Sequence, residues 1–234
     1  MPGRTRDEYI REGLQALGME RLVDLDKAVA SQRHSLYQVF AARHEEILSV
    51  TYKVKETISM LRDRGWNTHA DLWNICLYTN LVAHDLSVLV LEIYVGQDYW
   101  ARNLAARNAA LLMFESVKGL TQQLGKPIRD VLKGLGILAA VDLRLRATRA
   151  PLDTFRSTHL AQLKAIRNVA AAHRVRDGSL LLAEIESIDL EQVGSLAMEM
   201  GGILNDMGTQ LQLLINETSV LAPPETVVPA NSPT

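Results

Sequence analysis

The chain has 234 residues, 47% hydrophobic and 22% charged, enough apolar surface to bury a core and to exclude wholesale disorder. Its 25 Lys and Arg stand against 27 Asp and Glu, a formal charge of −2 that excludes a uniformly basic, histone-like coat. The single cysteine, Cys76, excludes an internal disulfide and a cysteine zinc cluster.

The opening MPGRTRDEYI is charged and holds no apolar signal core, so a cytoplasmic protein is expected. No Gly or Pro occurs between Gly18 and Gly65, and Leu25, Val29, Leu36, Phe40, Ile47, Val54, Ile58 and Leu61 recur at helical spacing. That pattern predicts one long helix, or two nearly in line. A helix of about 40 residues is roughly 60 Å long, more than a compact domain needs, so it is expected to project or to pack on a second copy. Gly65 ends it, and Asn67 or Thr68 is the expected cap of the next helix. Ala70 to Val95 is apolar on most sides and reads as the central helix of a bundle; His84, Asp85 and Glu92 interrupt it and argue against a membrane span. Gly96 and the cap Asp98 lead into a helix at 99–123. Gly125-Lys126-Pro127 makes the next break, with Pro127 suited to a first helical position. Shorter helices are expected over 128–150, and Pro151 is expected to start a helix running to about His173 or Arg174. Asp177-Gly178 is a tight-turn signal, Leu180–Ile188 is the one stretch with some strand character, and Asp189 is the cap of a last helix at about 190–216. The Pro-rich tail from Ala222 is expected to be disordered. The expected fold class is therefore all-α: an antiparallel helical bundle over 66–217, an N-terminal helical extension over 1–65 and a disordered tail over 218–234.

The even net charge conceals a gradient. Residues 1–128 balance, residues 129–176 carry ten basic and three acidic side chains, and residues 177–234 carry nine acidic and none basic. Two consequences stand open: the acidic last helix neutralises the basic one, or the basic segment is a local anion-binding strip fit for a few phosphates.

Several kinds of site are missing. There is no phosphate-cradling Gly-rich loop followed by Lys-Ser/Thr, no His-Glu-x-x-His and no serine hydrolase motif, so no cofactor or metal is implied. Cys76 lies in an apolar helix and reads as a buried inert thiol. His34 and His44 are ten residues apart on the long helix, too far to share a metal, and read as solvated. His84 reads as a structural hydrogen-bonded residue, His69 as a capping one, and His159 has no acidic neighbour in the sequence.

His173 remains, in the stretch Leu163-Lys-Ala-Ile-Arg167-Asn168-Val-Ala-Ala-Ala-His173-Arg174. Arg62 and Arg64 stand at comparable distances from His69, but Gly65 and Trp66 break the helix between them. An Arg, a polar residue and then His a few positions on, near a helix end, resembles the HEPN superfamily, and the Arg-Asn…Ala-His-Arg wording with the Asp-Gly turn is closest to its abortive-infection type. The resemblance covers about residues 66–217. It implies a small helical bundle acting as a metal-independent endoribonuclease, a toxin or defence effector with RNA as substrate and an antitoxin protein as a further partner. Carried onto this chain, the catalytic residues are Arg167, Asn168 and His173, with Arg174, Arg176 and Lys164 as RNA contacts.

The residue chemistry suits that task. An imidazole with a pKa near 6.5 can move the 2′-hydroxyl proton or protonate the leaving 5′-oxygen, and a guanidinium offers forked donors to the phosphate. On one helix Arg167 and His173 lie about 120° and about 9 Å apart, so a homodimer would bring the groups together more easily than one chain. The plainer alternatives stay beside this: Arg167 pairing with an acidic residue of the last helix, Asn168 an exposed helix residue, and His173 and Arg174 favouring the helix's negative end. A non-catalytic helical nucleic-acid-binding or protein-interaction module is the alternative function.

Overall fold

The computed structural model describes residues 20–96, 98–170 and 177–219. Among them the fold is all-α, with seven helices and no strand. In chain order they are α1 (Glu20–Asp63), α2 (Asn67–Val95), α3 (Tyr99–Gln123), α4 (Lys126–Gly134), α5 (Leu138–Ala170), α6 (Gly178–Glu186) and α7 (Leu190–Ser219). Helix α7 runs through Ser219, two residues into the span 218–234 expected as a tail; residues 220–234 lie outside the described residues.

The long uninterrupted pattern forms a single helix: α1 has 44 residues, about 66 Å at 1.5 Å per residue. It doubles back along α2, its principal neighbour. Val54, Ile58 and Leu61 meet Ala70, Trp66, Trp73 and Leu77 in a small cluster of their own. The reversal is closed by the backbone. Gly65 is left-handed (φ 74°), its N–H donates to Arg62 O at 2.9 Å and the Trp66 N–H to Leu61 O at 2.8 Å. This is the Schellman closure, whose left-handed position favours glycine because a Cβ is strained there. Gly136 repeats it after α4, with bonds to Lys133 O and, through Ile137, to Leu132 O. The closure leaves no cap for Asn67 or Thr68 to make. Trp66 is the residue before α2, and no side chain bonds the free amides there.

The main core lies among α2, α3, α5 and α7, with α4 closing one end. Helix α2 is long and apolar enough to cross a membrane by composition, but here it packs against α1, α3, α4 and α7, as a core helix does. Helix α3 turns Ala105, Ala106, Ala109 and Ala110 inward, each 4% exposed or less, so neighbouring backbones approach closely around it. Its cap follows expectation: the Asp98 carboxylate accepts from Ala101 N at 2.9 Å. Asp189 does the same for α7, accepting from Gln192 N at 3.0 Å.

Two expectations about the second half are corrected. Pro151 lies inside α5 rather than at its start. The ring removes one backbone bond, at a cost of about 3 kcal/mol. Burial of Leu145, Leu152, Phe155 and Leu163 on one stripe of the same helix outweighs that loss. The Arg149–Asp153 ion pair at 2.9 Å also bridges the proline turn. The stretch Leu180–Ile188 is not a strand; most of it is helix α6. Asp177 sets this, its carboxylate accepting from Ser179 N at 2.9 Å and Leu180 N at 3.2 Å. The Ser179 hydroxyl, donating to the same carboxylate at 2.7 Å, and these two amide bonds hold its carboxyl below the usual range. Asn103 of α3 ties down the far end by donating to Ile185 O at 3.0 Å.

Two tyrosines of α2 reach across the bundle onto glycines. A Cβ at Gly194 would lie 2.6 Å from the Tyr94 hydroxyl oxygen and 2.7 Å from its ring carbon Cζ, whereas one at Gly119 would clash with the Tyr78 hydroxyl oxygen at 2.8 Å but keep ordinary contact, 3.5 Å, with Cζ. Alanine at Gly194 is therefore expected to cost about 1–2 kcal/mol in urea unfolding, after its helix-propensity gain. Alanine at Gly119 should cost clearly less, and the reverse order would contradict this packing.

Candidate functional site

Helix α5 places the described half of the Arg167–His173 motif. Its inner stripe runs Leu152, Phe155, Leu163, with Leu160 and Ile166 partly buried against the core. Arg167, one position past Ile166, therefore emerges at the edge of the bundle, and Lys164 and Asn168 are exposed. His173, Arg174 and Arg176 lie outside the described residues.

Arg167 leans onto α3. Its guanidinium carbon sits 5.2 Å from the centre of the Phe114 ring, within cation–π range, and one terminal nitrogen is 3.5 Å from Glu115 Oε1. The plainer alternative gave it an acidic partner on the last helix; the partner it has comes instead from α3, the neighbour along that side of α5. The ion pair is loose, since charge-assisted N–H···O bonds run about 2.7–2.9 Å. The Arg167 Nε–H is buried with no acceptor among the described residues. Lys118, one turn beyond Glu115, puts its ammonium 4.2 Å from the centre of the same Phe114 ring. Sequence reasoning missed Phe114, Glu115 and Lys118, which stand some fifty residues from the motif and carry no local signal of their own.

Part of the basic segment is neutralised by pairing, mostly within α5 and with α3, and by one pair to the acidic last helix. Arg144 forks onto Glu217 of α7 at 2.7 and 2.6 Å, which raises the arginine's pKa and holds the carboxyl below its usual range. That carboxyl's contribution is present above its unfolded pKa and is lost as pH falls through the folded one. Arg129 and Arg146 share Asp142, and Arg149 takes Asp153. With Arg167 on Glu115, five of the eight described basic residues of 129–176 are paired. Lys133, Arg156 and Lys164 are exposed and make no ion pair among the described residues.

The remaining candidates sort as follows. Cys76 is buried, with its thiol pushed up to about 11 by desolvation, so it is a poor nucleophile at neutral pH. His44 is not simply solvated: its Nδ1 lies 2.7 Å from His84 Nε2, and His84 Nδ1 lies 3.3 Å from Asp85 Oδ1. The long-range pairing of α1 with α2 brings the two imidazoles together. His159 also has an acidic partner, Glu199 of α7 at 3.5 Å, and stacks near Phe155. His69 makes no capping bond; its Nε2 is buried without a partner beside Trp66. Gly65 and Trp66 do separate it from Arg62 and Arg64, as the sequence indicated. Among the described residues no three His, Cys, Asp or Glu side chains are placed to hold a metal ion.

No protein-family model, curated protein or solved structure matches this chain.

Proposed function

We propose that the chain is a cytoplasmic, homodimeric, metal-independent endoribonuclease of HEPN type, a toxin or defence effector held in check by an antitoxin protein. The observation that carries this is Arg167. It stands at the bundle edge in the last described turns of α5, its guanidinium held loosely by Phe114 and Glu115, six residues before His173 and beside exposed Asn168 and Lys164.

The chemistry assigned to these groups is in-line attack of the RNA 2′-oxygen on the adjacent phosphorus with departure of the 5′-oxygen. His173 moves the proton, taking it from the 2′-hydroxyl or giving it to the leaving oxygen, and a second copy of the chain supplies the second imidazole. Arg167 meets the charge that builds on the phosphate oxygens, and Asn168, Lys164, Arg174 and Arg176 hold the strand. The products are a 2′,3′-cyclic phosphate and a 5′-hydroxyl. Arg167→Lys keeps the charge and loses the planar fork, so it is expected to slow cleavage of single-stranded RNA at least about tenfold with unchanged thermal stability. Cleavage at the wild-type rate would count against Arg167 as the phosphate ligand.

The second reading, a protein-interaction module, is favoured by α1, which has α2 as its principal neighbour and many of whose described side chains between residues 35 and 63 are exposed. Under that reading the Arg167 and His173 variants keep full partner binding and no RNA is cleaved.

A further inference from the structure

Phe114 and Glu115 are neighbours on α3 with Lys118 one turn further on, and α5 lays Arg167 against Phe114 and Glu115. Phe114 is 3% exposed and forms an apolar floor, while Lys118 and Glu115 face solvent. Two cations lie within about 6 Å of one ring, at 4.2 and 5.2 Å, where each is attracted by the ring's face but repelled by the other. The local anion is Glu115, one turn before Lys118 and 3.5 Å from Arg167. It is a poor match: the contact is long, and the Arg167 Nε–H is left without an acceptor among the described residues.

We propose that Lys118 and Arg167, gathered on the Phe114 ring, form a two-cation site for a phosphate group, in which Glu115 is the internal anion that the phosphate displaces. A tetrahedral phosphate offers oxygens to several donors at once, so it can take the guanidinium fork and the ammonium together, which one carboxylate at 3.5 Å does not do. Displacement costs little, because Glu115 is half-exposed and its pair with Arg167 is a surface one. The ribonuclease reading enters only in naming the ligand, a backbone phosphate of RNA; Lys118 then holds the strand across from Asn168 and Lys164, on the α3 side of Arg167.

The test is calorimetric titration of inorganic pyrophosphate into the full chain at low salt, alongside an RNA-cleavage assay of the same proteins. Lys118→Ala is expected to weaken pyrophosphate binding about fivefold or more and Glu115→Gln to tighten it about twofold, with Lys55→Ala on α1 as the unchanged control. Lys118→Ala behaving like Lys55→Ala, or no binding to the wild-type chain at millimolar pyrophosphate, overturns the site. The two claims separate cleanly. RNA cleavage with a pyrophosphate affinity indifferent to Lys118 removes the site and keeps the ribonuclease. A Lys118-dependent anion site in a chain that cleaves no RNA does the reverse.

Discussion

Alanine in place of His173 is expected to lower RNA cleavage by about 10²–10⁴-fold, the usual share of a positioned acid or base, without loosening the bundle. Stability should hold because the core of α5 is built upstream of the motif. Leu152, Phe155 and Leu163 are the fully buried residues of that helix's second half, and Arg167 already stands at the edge. Rates on a labelled single-stranded RNA, with helicity and thermal midpoint measured on the same samples, decide the matter. Lost cleavage with an unchanged midpoint supports a catalytic imidazole. Undiminished cleavage would remove His173 from the chemistry, and a collapsed midpoint would make it a packing residue.

The second large effect is on folding. Phe155 is 1% exposed and lies one turn after Pro151, where α5 has lost a backbone hydrogen bond. Packing must hold the helix through that turn, so Phe155→Ala is expected to cost about 3–5 kcal/mol in urea or thermal unfolding. A cost below about 1 kcal/mol would mean that the proline turn is held by something other than the core. The Arg149–Asp153 pair cannot substitute, because both partners are substantially exposed and such pairs contribute at most about 1 kcal/mol.

How much of this was legible in the sequence follows from how local each signal is. Gly65, Asp98, Pro127 and Asp189 act within one turn of themselves, so the ends of α1, α3, α4 and α7 were readable from them. Pro151 misled because its local penalty is overruled by a core that assembles from four helices. Leu180–Ile188 misled because β-like composition is weaker than the Asp177 cap in front of it. Partners distant in the chain left no trace. His44 meets His84 only because α1 folds back on α2, and His159 meets Glu199 only because α7 returns beside α5. Arg167 was legible as a residue worth weighing, while Glu115, Phe114 and Lys118 depended on the register between α3 and α5. The neutralisation of the basic segment was legible in outline. The fold adds that Asp142, Asp153 and Glu115 do much of it, with Glu217 of the last helix contributing one pair.

The most direct measurement is the end chemistry of single-stranded RNA incubated with the full chain in EDTA. The Arg167–His173 account predicts fragments ending in a 2′,3′-cyclic phosphate and beginning with a 5′-hydroxyl, formed without any divalent ion. RNA left intact by the soluble, folded chain, or fragments carrying 5′-phosphates, would contradict it.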